Sequence, residues 1–101
     1  MEWRIAVFPF EGGEPIKVFP QLASRVAAIK WTPDGRGVAY VDNNRDESNI
    51  WAQPLEGGEP KQLTRFDSEQ IFGFDWSPDG KQLVCTRGIW ERNLALIRKF
   101  R

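Results

Sequence analysis

The chain has 101 residues, with 14 Lys and Arg against 14 Asp and Glu, no histidine and one cysteine. That length supports one domain with a thin core, and the even, unclustered charge builds no positive field for nucleic acid or an anionic membrane. Without histidine the Ser-His-Asp and Cys-His nucleophile systems and the common His-containing zinc sites are excluded, and a lone Cys85 gives neither a disulfide framework nor a thiolate zinc site within one chain.

The first apolar stretch, Arg4-Ile5-Ala6-Val7-Phe8, reads as a strand, and Glu11-Gly12-Gly13-Glu14-Pro15 after it reads as a hairpin whose glycines allow the reversal. Residues 16–19 form the returning strand. Over 25–31 the alternation predicts a strand with Ala27, Ile29 and Trp31 on one side. Pro33-Asp34-Gly35 then supplies a tight turn: Pro presets φ, Asp bonds amides ahead of it, and Gly accepts φ > 0. The run 37–41 is nearly continuous in apolar residues, as expected of a strand covered on both faces.

Beyond a polar link at 42–48, residues 49–53 read as a third strand, Glu56-Gly57-Gly58-Glu59-Pro60 as a second hairpin, and 61–64 as a fourth strand. The order then starts again. Phe72, Phe74 and Trp76 take the places of Ala27, Ile29 and Trp31, Pro78-Asp79-Gly80 makes the turn, 82–86 the second strand and 94–97 another third strand. Cys85, inside Leu83-Val84-Cys85, reads as a small apolar core residue. No apolar run is long enough to span a membrane, and Met1-Glu2-Trp3-Arg4 lacks the order of a signal peptide. The chain is therefore expected to be soluble, with no membrane insertion and with its compartment open.

Trp31 to Gly35 thus returns as Trp76 to Gly80, 45 residues on, and a period of that size marks solenoids, propellers and arrays. One period holds four antiparallel strands and no helix, which matches a β-propeller blade; a sandwich would not require the same turn chemistry at a fixed offset. The expected class is all-β. Residues 1–24 supply strands three and four of one blade, 25–66 a complete blade and 67–101 strands one to three of the next. Propellers close with about four to eight blades, so about two blades close a ring only by oligomerisation. Two copies would give four blades and three copies six, with other copies of the chain as the expected partners.

The segments WTPDG, VAYV, WSPDG, LVC, NIWAQPLEGGEPKQLT and LALIRKF resemble the TolB-like, WD-type β-propeller repeats of bacterial proteins. The chain is especially similar to the C-terminal propeller of bacterial serine/threonine protein kinases, and its close, Leu-Ile-Arg-Lys-Phe-Arg, resembles the end of those propellers. The resemblance implies a non-catalytic scaffold or interaction module, a sensing or docking segment with catalysis elsewhere in the parent. No glycine-rich phosphate loop, His-Arg-Asp or Asp-Phe-Gly is present. The alternative the same resemblance allows is the gating propeller of a prolyl-oligopeptidase-type peptidase, or a TolB-like periplasmic protein.

Equivalent placement in both repeats makes Trp31, Pro33, Asp34, Gly35, Trp76, Pro78, Asp79 and Gly80 structural signatures, together with the hairpin glycines Gly57 and Gly58. Asp34 and Asp79 belong to separate turns rather than to one acid/base pair. Gly12-Gly13 and Gly57-Gly58 precede no Gly-Lys-Ser/Thr, and 42–48 lacks the glycine and distal Glu of a calcium loop, so no catalytic residue, metal or cofactor is assigned. Binding candidates are Arg45, Trp90 and Arg92, which fall on loops where the repeat breaks its own pattern and belong to the residue types that dominate binding hot spots. Trp90 reads equally well as cover for the edge of the last blade. The ligand class left open is a protein or a small molecule on the loop face.

Overall fold

A computed structural model describes residues 4–19, 26–43 and 47–89. They form eight strands: β1 (Ile5–Val7), β2 (Lys17–Phe19), β3 (Val26–Trp31), β4 (Gly37–Asn43), β5 (Ser48–Pro54), β6 (Lys61–Gln62), β7 (Gln70–Trp76) and β8 (Leu83–Gly88). Every paired strand is antiparallel to its neighbour, and the described residues contain no helix. The fold is all-β. A central four-stranded sheet has its strands in chain order, β3-β4-β5-β6, and a two-stranded sheet lies on either side, β1-β2 and β7-β8.

β4 explains how the three sheets hold together. Its residues Val38 and Tyr40 face one way and join Ile5 and Phe19 of β1-β2, while Ala39 and Val41 face the other and join Ile71 and Phe74 of β7-β8, with Ile50 of β5. Both faces of one strand are thereby covered, which is why its sequence shows no polar alternation. Ile50 and Ile71 are fully buried, and removing an aliphatic side chain of that size from water contributes about 1.5–3 kcal/mol.

Two registers differ from the sequence expectation. Val26 pairs with Asp42 and Ile29 with Tyr40, while Ile71 pairs with Arg87 and Gly73 with Thr86, so β3 and β7 each carry a bulge near the same repeat position. One inserted residue reverses which side chains face the core. Ile71 therefore joins Phe74 and Trp76 against the central sheet, whereas Phe72 and Ala27 turn outward. The second difference lies in β2. Ile5 pairs with Phe19, while Leu63 donates its N–H to the carbonyl of Ile50 at 2.8 Å, so Phe19 corresponds to Leu63 rather than to Thr64. Ile16 is an extra residue that the first hairpin absorbs. The third strand expected at 94–97 lies outside the described residues.

Candidate functional site

The sheets have two ends. At one end stand the β3-β4 and β7-β8 turns, which are built alike. Thr32 Oγ1 donates to Asp34 Oδ1 at 2.7 Å, and the same oxygen accepts the N–H of Arg36 at 2.9 Å. In the second copy Ser77 Oγ donates to Asp79 Oδ1 at 2.6 Å, and Lys81 N–H follows at 3.0 Å. Gly35 and Gly80 occupy φ of 71° and 74°, the left-handed conformation that only glycine adopts freely. The backbone N–H of Arg36 and the hydroxyl of Thr32 hold the Asp34 carboxyl below its ordinary 3.8. Ser77 and the N–H of Lys81 do the same for Asp79. These carboxylates serve their own turns. The turns also meet each other, since a Cβ placed on Gly80 would stand 3.0 Å from Pro33 Cβ.

The tryptophans ahead of these turns are not equivalent in packing. Trp76 packs beside the core and meets Phe74 edge to face at 5.8 Å, whereas Trp31 is 56% exposed. At the second hairpin, the buried Gln53 donates through Nε2 to the carbonyls of Pro54 and Gly58 at 3.0 and 3.1 Å, which fixes the reversal at Gly57 and Gly58.

The opposite end gathers the close of β4, the start of β5, the link from β6 to β7 and the close of β8. Asn49 organises it. Its Oδ1 accepts the N–H of Phe66 at 2.7 Å and the hydroxyl of Thr64 at 2.8 Å, and its Nδ2 donates to the carbonyl of Phe66 at 3.1 Å. A side-chain amide thus pairs with a peptide unit as a neighbouring strand would, and Thr64 Oγ1 in turn accepts the N–H of Ile50 at 2.9 Å. Strand pairing between β5 and β6 gives way at this point to side-chain pairing. Ser48 is fully buried, with its hydroxyl held between the side chains of Asn43 and Gln70.

Arg87 lies across the link. Its guanidinium sits 3.7 Å from the centre of the Phe66 ring, donates to the carbonyl of Ser68 at 3.0 Å and stands 3.6 Å from Glu69 Oε1. Glu69 adopts φ of 71°, uncommon for a residue with a Cβ, and its carbonyl accepts the N–H of Ser48 at 3.1 Å. Asp42 stands nearby with Oδ1 buried and unpaired among the described residues. Burial pushes its carboxyl above the ordinary 3.8. Burial, and then the charge of Asp42, pushes the Tyr40 hydroxyl up to about 12.

The three binding candidates from the sequence, Arg45, Trp90 and Arg92, lie outside the described residues. Sequence reasoning missed Asn49, Ser48 and Arg87 as organisers of this end of the sheets. Only the interruption of apolar alternation by Ser48-Asn49 marks two of them in the sequence. The chain matches no family model, no curated protein and no solved structure. Among the described residues no group of three or more His, Cys, Asp or Glu is placed to hold a metal ion, and no helix is long and apolar enough to cross a membrane. Chemically, this end offers an anchored guanidinium, a partly buried carboxyl and a rim of amides, an arrangement suited to recognition by hydrogen bonds and charge.

Proposed function

We propose that the chain is a β-propeller segment that works as a non-catalytic docking or sensing module, of the kind that follows the kinase domain in bacterial signalling kinases. The observation that carries this reading is the way the repeat is laid out. Strands run through the central sheet in chain order, and the next repeat begins with β7 beside β3, where Lys30 Nζ stands 3.9 Å from Asp75 Oδ2. Completing one sheet and starting the next alongside its first strand is the path expected of a propeller chain, and it supports this reading. In this reading 25–66 is a whole blade, flanked by parts of two others, and copies of the chain supply the rest of the ring.

Docking falls to the loop end around Arg87 and its neighbouring loops, because the carboxylates at the turn end are committed to their own hairpins. A partner captured from bacterial extract on the immobilised chain is expected to be lost with Arg87→Glu and kept with Asp34→Ala, circular dichroism confirming that both variants fold. Equal capture by the two variants would refute the assignment of the loop end. Hydrolysis of a peptide or ester substrate by the purified chain would refute the non-catalytic reading.

A further inference from the structure

Each of the two outer sheets leaves exposed a surface whose repeat equivalent is covered inside the chain. On β7-β8, Val84 is 66% exposed and Thr86 is also exposed. Their repeat equivalents are Ala39 and Val41, both fully buried against the next sheet. On the other side of the molecule a groove runs between β1 and β3, lined by Ile5, Val7, Ile29, Trp31 and Val38. Ile29 and Trp31 are 51% and 56% exposed there, although their equivalents Phe74 and Trp76 pack against the central sheet. Among the described residues, one surface is a sheet face with no sheet upon it, and the other is the seat that such a face occupies inside the chain.

Charge selects the occupant. Lys30 and Asp75 hold the same repeat position and pair across the internal contact between β3 and β7. If a second copy places its β3 beside β7, its Lys30 meets Asp75, and around a ring of copies the position reads Lys, Asp, Lys, Asp with unlike charges adjacent throughout. At this position a ring of whole copies closes without a like-charge contact.

We propose, building on the propeller reading above, that the β7-β8 hairpin of one copy seats in the β1-β3 groove of a second copy and extends its β1-β2 sheet to four strands, β1 of the second copy taking the third-strand place that the sequence offers to 94–97. The register follows from the internal pairs Ala39 with Ala52, Tyr40 with Trp51 and Val41 with Ile50. Carried over by the repeat, Val84 stands opposite Val7 of the second copy, Cys85 opposite Ala6 and Thr86 opposite Ile5. Directly opposed residues of an antiparallel pair have Cβ atoms about 4.5–5.5 Å apart, close enough for a disulfide to form with a small adjustment.

Cys85 is the only cysteine, so Ala6→Cys makes a direct test in the full chain. Within one chain the pair cannot form, because β1 and β8 lie on opposite sides of the central sheet. Mild oxidation of the Ala6→Cys variant is expected to give covalent oligomers whose peptide map shows the substituted position joined to Cys85, while Glu14→Cys, in an exposed hairpin, gives none. Val84→Lys, at a site exposed in the single chain, is expected to reduce the light-scattering mass to that of one chain with an unchanged far-ultraviolet spectrum. An oligomeric parent that yields no link between these two positions and keeps its mass with Val84→Lys overturns this interface and leaves the propeller reading standing. A folded parent that is monomeric at every concentration overturns both.

Discussion

Replacing Asn49 by Ala removes three hydrogen bonds at once, those from Phe66 N–H and Thr64 Oγ1 and the one to the Phe66 carbonyl. An ordinary intramolecular hydrogen bond contributes about 0.5–1.5 kcal/mol net, so the variant is expected to lose about 2–4 kcal/mol. Asn49 is 6% exposed, and water therefore has little access to replace the lost partners. Against a typical total of about 5–15 kcal/mol the loss is large. For a domain of this size 1 kcal/mol moves Tm by about 4–8 °C, which places the expected drop at about 10–25 °C. The assay is urea unfolding followed by circular dichroism at one fixed chain concentration, since any association would make stability depend on concentration. Asn49→Asp keeps the acceptor oxygen and loses the donor, and is expected to fall between parent and Asn49→Ala. Arg65→Ala, at an exposed site, is expected to stay within about 0.5 kcal/mol. If Asn49→Ala also stays within that margin, the side chain is not the clamp between β5 and the β6-β7 link.

Gly37→Ala would bring a Cβ to 2.9 Å from the Gln53 carbonyl oxygen and is expected to lose about 1–3 kcal/mol. Gly35→Ala meets nothing within 4 Å and bears only the strain of φ 71°, about 1–2 kcal/mol, so urea midpoints showing Gly35→Ala to be clearly the worse of the two would contradict the packing at Gly37. The carboxylates are expected to act in opposite directions on stability against pH. Asp34 and Asp79, lowered from 3.8, contribute stability that is present above that value and lost as pH falls through their folded values. Asp42, raised from 3.8, subtracts stability as pH rises from there through its folded value. Asp34→Asn combined with Asp79→Asn is therefore expected to flatten the acid limb of the midpoint-against-pH curve. Asp42→Asn is expected to raise the midpoint at pH 7, and a lower midpoint there would refute the buried, unpaired state of its carboxyl.

The turns were legible in the sequence because their chemistry is local: Asp34 takes both of its bonds from residues two positions away. Strand β4 was legible because cover on both faces leaves an apolar run. What escaped depends on geometry that alternation cannot carry. The bulge in β7 exchanges Ile71 for Phe72 in the core, and a strict period of two assumes that no residue is inserted. Asn49 escaped because its backbone partners lie at Phe66, 17 residues on, across a link whose course the sequence does not state. Trp31 and Trp76 share one motif and differ in burial because a complete sheet lies beside Trp76, while a groove lies beside Trp31.

The two ends of the sheets differ in what they leave for a partner. The turn end shows the same construction in both repeats, Thr32 with Asp34 and Ser77 with Asp79, and each carboxylate is already bonded to its own hairpin. A partner would meet one motif twice, with each carboxylate already holding hydrogen bonds within its own turn. At the loop end, the position held by Asp42 in one repeat is held by Arg87 in the next, and the two are treated differently by the fold. Asp42 is drawn inward with an unpaired oxygen, whereas Arg87 is stretched over Phe66 with its guanidinium partly open to solvent. Opposite charge at equivalent positions gives that rim a pattern, and pattern is what electrostatic specificity requires. Charge reversal of Arg87 would make the two positions alike, and because the same guanidinium also holds Phe66, Ser68 and Glu69, any loss of binding is read beside the variant's unfolding midpoint.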